Sequence, residues 1–254
     1  MPRFFVQKEQ IEDGIVTLKG DDAHHISRAL RMATGEHITV CDMQKHEHEC
    51  ELVEFLPDCV RARVLSTTSA DTEPPYHVHV YQALPKGDKL DQIIQKAVEC
   101  GAAELTTFES ERCIVRIKDG GEAKKLERRR RIALEAAKQC GRSVVPEIHS
   151  TVSFAEAIRE AAKSDLALFC YEGEGTLPLP RQIEAWKAEH EDLINGKEPS
   201  IAVVIGSEGG FSLQEAASAD AAGLLPTGLG KRILRTETAS GFVLACLVYA
   251  FEMF

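Results

Sequence analysis

Apolar and polar positions follow two different patterns along this 254-residue chain. Within residues 1–73, short runs such as HITVCD, ECELVEF and VRARVL alternate apolar and polar side chains. This alternation is typical of antiparallel strands with one buried face. In VRARVL it predicts that Val60 and Ala62 face the core while Arg61 faces solvent. The first part of the chain is therefore expected to form a small β-rich barrel or sandwich.

One helix is expected in this first part, over DDAHHISRALRMATG. Ile26, Leu30 and Ala33 would lie on one helical face, and Gly35 would end the helix.

A linker is predicted at 69–77, where SADTEPPYH contains two prolines. It separates residues 1–72 from residues 73–254, in which strands and helices alternate. The predicted strands of this second part are VHVYQAL, AELTTFE, DLALFCYE, SIAVVIG and a short stretch near GLLPTGLG. Because these strands are almost continuously apolar and helices lie between them, they indicate an α/β fold with a parallel sheet covered on both faces.

Local helix signals agree with this alternation. In DKLDQIIQKAVECG the apolar residues from Leu90 to Val98 recur at helical spacing, and Gly101 follows as a stop signal. SFAE and SLQE each place a serine three residues before a glutamate, which is the spacing of a capping box.

The composition is that of an ordinary globular protein, with 44% hydrophobic and 28% charged residues. The net charge of -10 argues against a surface that is basic throughout. Residues 108–147 nevertheless carry 11 Lys and Arg against 7 Asp and Glu. The run KKLERRRR at 124–131 is therefore either a solvated helix surface or part of a phosphate-binding surface.

A cytoplasmic protein with reduced thiols is expected. The first residues lack the apolar stretch of a signal peptide, and GFVLACLVYAF is shorter than the roughly 20 residues that span a bilayer. The eight cysteines include no CxxC pair. In HEHEC, His46, His48 and Cys50 would share one strand face; a solvated face is favoured over a metal site, and no metal is predicted.

The stretch IAVVIGSEGGFS at 201–212 ends a predicted strand in a glycine-rich turn. Parallel sheets bind ligands at the carboxyl ends of their strands, and glycine lets the backbone approach a ligand closely. GSEGGF lacks the GxGxxG spacing of a dinucleotide site, and Glu208 would repel a phosphate. The turn is thus either a phosphate-free ligand site or only a tight strand-to-helix connection.

A second glycine-rich segment, GLLPTGLGKRILRTETASG, lies at 223–241. It does not match a phosphate-binding P-loop, because Leu229 stands where that motif requires lysine. What remains is a glycine-rich loop followed by Arg232 and Arg235 at a helix start. These arginines indicate an anionic partner, or else helix capping with surface arginines.

Five stretches in this order resemble one family: HHISRALRMATGE, LPKGDKLDQIIQKAVECGAAELTTFESERC, EAAKQCGRSVVPEI, IGSEGGFSLQE and LGKRILRTETA. They are similar to motifs of the ribosomal RNA small subunit methyltransferase E family, in the SPOUT superfamily of knotted methyltransferases. The resemblance runs over nearly the whole chain, although the family usually has proline where Ser207 stands.

The resemblance implies a PUA-like β-barrel RNA-binding domain at 1–72 and a SPOUT methyltransferase domain with a deep trefoil knot at 73–254. It implies S-adenosyl-L-methionine as the cofactor and N3 of a uridine in 16S rRNA, within the small ribosomal subunit, as the methyl acceptor. It also implies a homodimer, with neither membrane nor metal involved.

The resemblance also implies roles for particular residues. Arg235 would stabilise and orient the reacting uridine, and Glu237 would act as a base or only favour the helix N-terminus. The cofactor would be bound by Tyr171, Glu172, Gly206, Glu208, Gly209, Gly210, Leu229, Gly230, Ile233, Leu234 and Thr236. RNA phosphates would be bound by Arg3, Arg28, Arg31, Arg112 and Arg142.

Two rival functions fit the same residues. A Rossmann-like oxidoreductase that uses NAD would share the parallel sheet, although the missing GxGxxG motif argues against it. A non-catalytic RNA-binding protein with a relict cofactor site would share the basic residues.

Overall fold

The computed structural model describes residues 1–116, 121–191 and 197–253. They form two compact units. The first unit consists of Met1–Glu73 and Ala137–Val145, and the second of Pro74–Ala136 and the described residues from Pro146 onward. The first unit thus includes a short return segment from the later part of the sequence.

The first unit is built on a six-stranded sheet. Its strands are β1 (Arg3–Phe5), β2 (Ile11–Glu12), β3 (Ile15–Lys19), β4 (His37–Cys41), β5 (His46–Phe55) and β6 (Cys59–Ser69). Their order in the sheet is β1-β4-β5-β6-β3-β2. Val60 and Ala62 are buried and Arg61 is exposed, so the predicted alternation along β6 is confirmed.

The helix predicted over DDAHHISRALRMATG is wrong in its second half. α1 (Gly20–His24) continues into one π-helical turn, His25–Ala29, and the helix ends there. A π-turn holds one residue more than an α-turn and so rotates the following residues off the predicted face. Leu30, directly after this turn, is 40% exposed. Ala33 lies beyond the end of the helix and is also exposed. Gly35 lies beyond the helix, and its amide donates to a carbonyl of β5 at 2.8 Å.

The second unit contains a seven-stranded parallel sheet, which confirms the predicted α/β class. Its strands are β7 (His77–Ala83), β8 (Glu104–Glu109), β9 (Glu147–Ser153), β10 (Leu166–Cys170), β11 (Leu177–Pro178), β12 (Ser200–Ile205) and β13 (Leu225–Gly228). Their order is β11-β13-β10-β12-β7-β8-β9, and every described pairing is parallel. The apolar pattern does not predict β9, because Ile148 is the only fully buried residue of this edge strand.

The helices that follow β7 are α2 (Lys89–Glu99), α3 (Glu122–Cys140), α4 (Phe154–Ala161), α5 (Leu179–Glu189), α6 (Leu213–Ala221) and α7 (Thr236–Glu252). Both predicted capping boxes are present, at the first turns of α4 and α6. Gly101 ends α2 with a φ of 85°, a left-handed conformation that favours glycine.

Two further expectations concern the chain as a whole. Every helix in the described part of the chain is too short or too polar to cross a membrane. The described residues include all eight cysteines, and none of these forms a disulfide bond.

Candidate functional site

The candidate site is a pocket of about 790 Å³ in the second unit. It is lined by residues 170–173 and 176, 205–211 and 228–235, at the ends of β10, β12 and β13 and in the loops that follow them. These loops leave the carboxyl ends of parallel strands, where open α/β sheets bind their ligands. The volume suits a cofactor-sized molecule. Every residue that the sequence assigned to the cofactor lines this pocket.

The turn after β12 is tight and needs its glycines. Gly210 has a φ of 62°, and its amide donates to the Ser207 carbonyl at 2.9 Å. A Cβ at Gly206 would lie only 3.2 Å from the Phe211 ring. The Gly206 carbonyl accepts a hydrogen bond from Thr236 Oγ1 at 2.6 Å, which ties this turn to the start of α7.

Glu208 is held by the loop that precedes α2 and by the first residue of that helix. Its carboxylate accepts hydrogen bonds from the Lys86 amide at 3.1 Å and from Lys89 Nζ at 2.8 Å. Burial acts to raise the pKa of Glu208, but these hydrogen bonds outweigh it and lower the pKa. The sequence leaves open whether Glu208 contacts the cofactor or supports the turn. In the structure its carboxylate joins the turn to the LPKGDK segment.

The loops after β10 and β13 form the facing wall. A Cβ at Gly228 would lie 3.2 Å from Thr176 Oγ1, so these two loops approach closely. Gly230 has a φ of 105°. Leu229 and Leu234 are half-buried, and together with Ile233 they give the wall an apolar character.

Arg235 and Glu237 lie where α7 begins. Arg235 is the N-cap residue of α7, and its side chain is 82% exposed. The Glu237 carboxylate is only 17% exposed and lies 3.9 Å from Arg235 Nη1 and 3.4 Å from Lys89 Nζ. Lys89 therefore bridges Glu208 and Glu237. Sequence reasoning missed this lysine, although it follows directly after the Lys-Gly-Asp motif.

Arg112 is the one arginine proposed for RNA that lines the pocket. It is exposed, and its Nη1 donates to the Gly209 carbonyl at 3.1 Å. A Cβ at Gly209 would lie 2.9 Å from the Arg112 Cβ, which explains the glycine at this position.

The other proposed RNA contacts lie in the first unit and divide into two kinds. Arg28 and Arg31 are exposed. Arg142 is 5% exposed and donates to Glu73 at 2.5 Å. Arg3 donates to Glu47 at 2.6 Å. Because the guanidinium groups of Arg3 and Arg142 are paired with carboxylates of the same unit, their placement does not support the predicted phosphate contacts.

The basic run of α3 is similarly divided. Arg129 is 5% exposed, and its Nη1 lies 3.0 Å from Glu122 Oε1. Arg128 pairs with Asp91 at the surface. Lys124, Lys125 and Arg131 are exposed. Part of this run is therefore structural rather than a continuous basic surface.

The HEHEC motif lies at the start of β5, and both of its histidines have hydrogen-bond partners outside this strand. His46 Nδ1 lies 2.9 Å from Asp42 Oδ2, and His48 Nδ1 lies 2.8 Å from Thr67 Oγ1. Burial raises the pKa of Cys50 to about 12, so its thiol stays protonated. The solvated face predicted for this motif is therefore wrong for two of its three residues: His46 is exposed, but His48 is 8% and Cys50 0% exposed, because their side chains turn toward the core of the first unit.

Two models of known protein families match this chain. A family model described as an RNA methyltransferase domain matches residues 72–248, and one described as an RNA methyltransferase PUA domain matches residues 18–54. With the parallel sheet and its carboxyl-end pocket, these matches define the class as RNA methyltransferases that carry a PUA domain.

The chain belongs to the ribosomal RNA small subunit methyltransferase E family. It is 35% identical to that enzyme of Bacillus subtilis (strain 168), with 100% of this chain and 98% of the relative covered. The identity to the enzyme of a Synechocystis strain is 31%, over 96% of this chain and 76% of the relative. The crystal structure of the Neisseria gonorrhoeae enzyme bound to S-adenosyl methionine is similar with a TM-score of 0.82 and 30% identity, over 99% of this chain and 98% of that chain.

Proposed function

We propose that this rRNA methyltransferase uses S-adenosyl-L-methionine to methylate N3 of a uridine in 16S rRNA. The observation that carries the proposal is the pocket enclosed by the loops after β10, β12 and β13. Among the described residues, none donates a hydrogen bond to or accepts one from the buried Ser207 Oγ, so this hydroxyl is available to a polar group of a ligand. Glu208 adds a negative charge to the turn, which disfavours a phosphate-bearing ligand, although Lys89 pairs with this charge.

The chain offers distinct groups to each part of this cofactor. Backbone groups near Gly206, Leu229, Gly230 and Leu234 would bind the adenine and ribose, and Leu229, Ile233 and Leu234 would form the apolar wall. The remaining contacts would come from Tyr171, Glu172, Glu208, Gly209, Gly210 and Thr236. When bound, S-adenosylmethionine supplies an electrophilic methyl group on a positively charged sulfur.

Arg235 is proposed to orient the uridine and stabilise the negative charge that develops as N3 loses its proton. Its side chain is 82% exposed at the pocket rim, so a base can reach it. Glu237 has two possible roles: its carboxylate accepts the N3 proton, or it holds Lys89 and Arg235 in position. The second role needs no proton transfer, so the pH dependence of turnover distinguishes the two.

The nucleic acid is proposed to contact both domains, taken as residues 1–72 and 73–254. N3 lies on the Watson–Crick edge, so the target base must be unpaired or flipped out. The exposed Arg28, Arg31 and Arg112 are the proposed phosphate contacts. The family resemblance further supports a trefoil-knotted homodimer that acts in the cytoplasm on the small ribosomal subunit.

The proposal is tested by incubating the protein with labelled S-adenosylmethionine and small subunits that lack the modification, and then mapping the modified base. Label at N3 of one uridine is the expected result. Label on another base, or none at all, overturns the assignment. Thermal stabilisation by NADH but not by S-adenosylhomocysteine would favour the oxidoreductase instead.

A further inference from the structure

Histidine and glutamate side chains meet at the amino end of the parallel sheet, opposite to the pocket. Among the described residues, His79, Glu104 and His149 form the only group of three or more such side chains whose potential metal-ligand atoms lie within 4.8 Å of one another. They come from the neighbouring strands β7, β8 and β9. We propose that this group is a structural site for a zinc-type divalent metal ion.

The register of the strands produces the group. His79 pairs with Glu104, and Thr106 of β8 pairs with His149. Side chains two residues apart on a strand point to the same face, so Glu104 and Thr106 share a face with both histidines. His77, two residues before His79, joins them on that face.

The distances suit a small coordination sphere. His149 Nε2 lies 2.5 Å from Glu104 Oε2, and His79 Nδ1 lies 3.6 Å from the same oxygen. His77 Nε2 lies 3.4 Å from Glu104 Oε1. In a tetrahedral zinc site, with ligands about 2.0–2.1 Å from the metal, neighbouring ligand atoms are about 3.3 Å apart. Small side-chain movements would therefore admit an ion.

The second nitrogen atom of His79 also has a partner. His79 Nε2 lies 2.7 Å from Thr106 Oγ1, within hydrogen-bond distance, and the nearest carboxylate oxygen to His149 Nδ1, Glu147 Oε1, lies 3.6 Å away, just beyond it. Such partners fix the ring orientation of metal-binding histidines.

The ligand set favours Zn²⁺ over Mg²⁺ or Ca²⁺, because the latter prefer oxygen ligands. The His77 and His149 side chains are 46% and 32% exposed, so an ion can reach them from solvent. The site would join the first residues of three strands and lies at the opposite end of the sheet from the pocket. Its expected effect is therefore on stability and not on methyl transfer.

The test is titration of metal-stripped full-length protein with Zn²⁺ and, as a spectroscopic probe, with Co²⁺. We expect one equivalent per chain, a higher Tm, and tetrahedral cobalt bands without a thiolate charge-transfer band. The double variant His79→Ala/His149→Ala should bind at least 100-fold more weakly, and Glu104→Gln about tenfold more weakly. His37→Ala is the matched control, because His37 pairs with the single carboxylate of Glu49 at 3.0 Å; it should bind as the wild type does.

Circular dichroism checks that each variant is folded, and if the double variant is not, Glu104→Gln decides alone. Unchanged zinc affinity in Glu104→Gln overturns the proposal. A thiolate band in the cobalt complex does so too, because it would assign the metal to cysteines.

Discussion

At the carboxyl end of the parallel sheet the candidate site is built from loops. At the amino end, the cluster of His79, Glu104 and His149 is built from strand side chains. The pocket depends on backbone turns such as Gly206–Gly210, held by bonds like that from Thr236 Oγ1 to the Gly206 carbonyl. The cluster depends on the pairing of His79 with Glu104 across two strands. Loops can move around a ligand, while strand side chains are held in place by the sheet. The two ends should therefore respond differently to substitution.

The largest expected effect is on turnover at the carboxyl end. Arg235→Ala should lower the methyl-transfer rate by about 100-fold or more, because one charge-stabilising donor is lost, yet bind S-adenosylhomocysteine nearly as well as the wild type. Single-turnover kinetics and calorimetry measure the two quantities. Arg181→Ala is the control, since Arg181 is 76% exposed and pairs only with nearby Glu184 among the described ion pairs. Full activity in Arg235→Ala would refute the assigned role.

Glu237→Gln tests whether the neighbouring carboxylate takes part in proton transfer. If the carboxylate accepts the N3 proton, the variant should lose the acidic limb of the pH–rate profile together with most of its activity. If Glu237 only positions Lys89 and Arg235, the shape of the profile should be unchanged and only the rate reduced.

The next effect is on stability, near the carboxyl ends of β8 and β9. Arg129→Met should lower the free energy of unfolding by about 3 kcal/mol, because it leaves Glu122 without its buried partner. Urea denaturation measures this loss. Arg128→Met is the neighbouring control and should cost much less, because its ion pair with Asp91 lies at the surface. Equal losses in the two variants would contradict the assigned burial.

A smaller effect is expected on cofactor affinity. Gly209→Ala should weaken S-adenosylhomocysteine binding about tenfold, or about 1.4 kcal/mol. The added Cβ would lie 3.1 Å from the Arg112 carbonyl oxygen, and a backbone atom cannot move aside cheaply. Gly241→Ala in α7 is the control, because its Cβ would make an ordinary 4.0 Å contact with Lys96. Calorimetric titration that finds equal affinities would show that the turn adapts.

The smallest effect is a pH-dependent one at Glu208. Its pKa is lower in the folded protein than its ordinary value of 4.5, so its contribution is present above that pH and is lost as the pH falls through the folded pKa. Glu208→Gln should lower the Tm by no more than about 2 °C at pH 7, since the pair is partly exposed. The difference from the wild type should disappear in acid. A difference that grows in acid has the wrong sign for this explanation.

Local signals predicted most of the second unit. The five predicted strands, both capping boxes and the Gly101 stop are present, because each depends on residues close together in the sequence. The helix predicted after Gly20 is wrong beyond its π-helical turn, because the hydrophobic period alone does not reveal a change in the number of residues per turn.

The sequence by itself determined the β-rich first part, the parallel α/β second part and the glycine turns that line the pocket, because alternation, periodicity and turn chemistry are local. Only the tertiary structure decided that Glu208 binds Lys89, that Arg142 is buried against Glu73, and that His79, Glu104 and His149 meet. Those contacts join residues far apart in the chain. They follow from strand register and helix packing, which no short stretch of sequence contains.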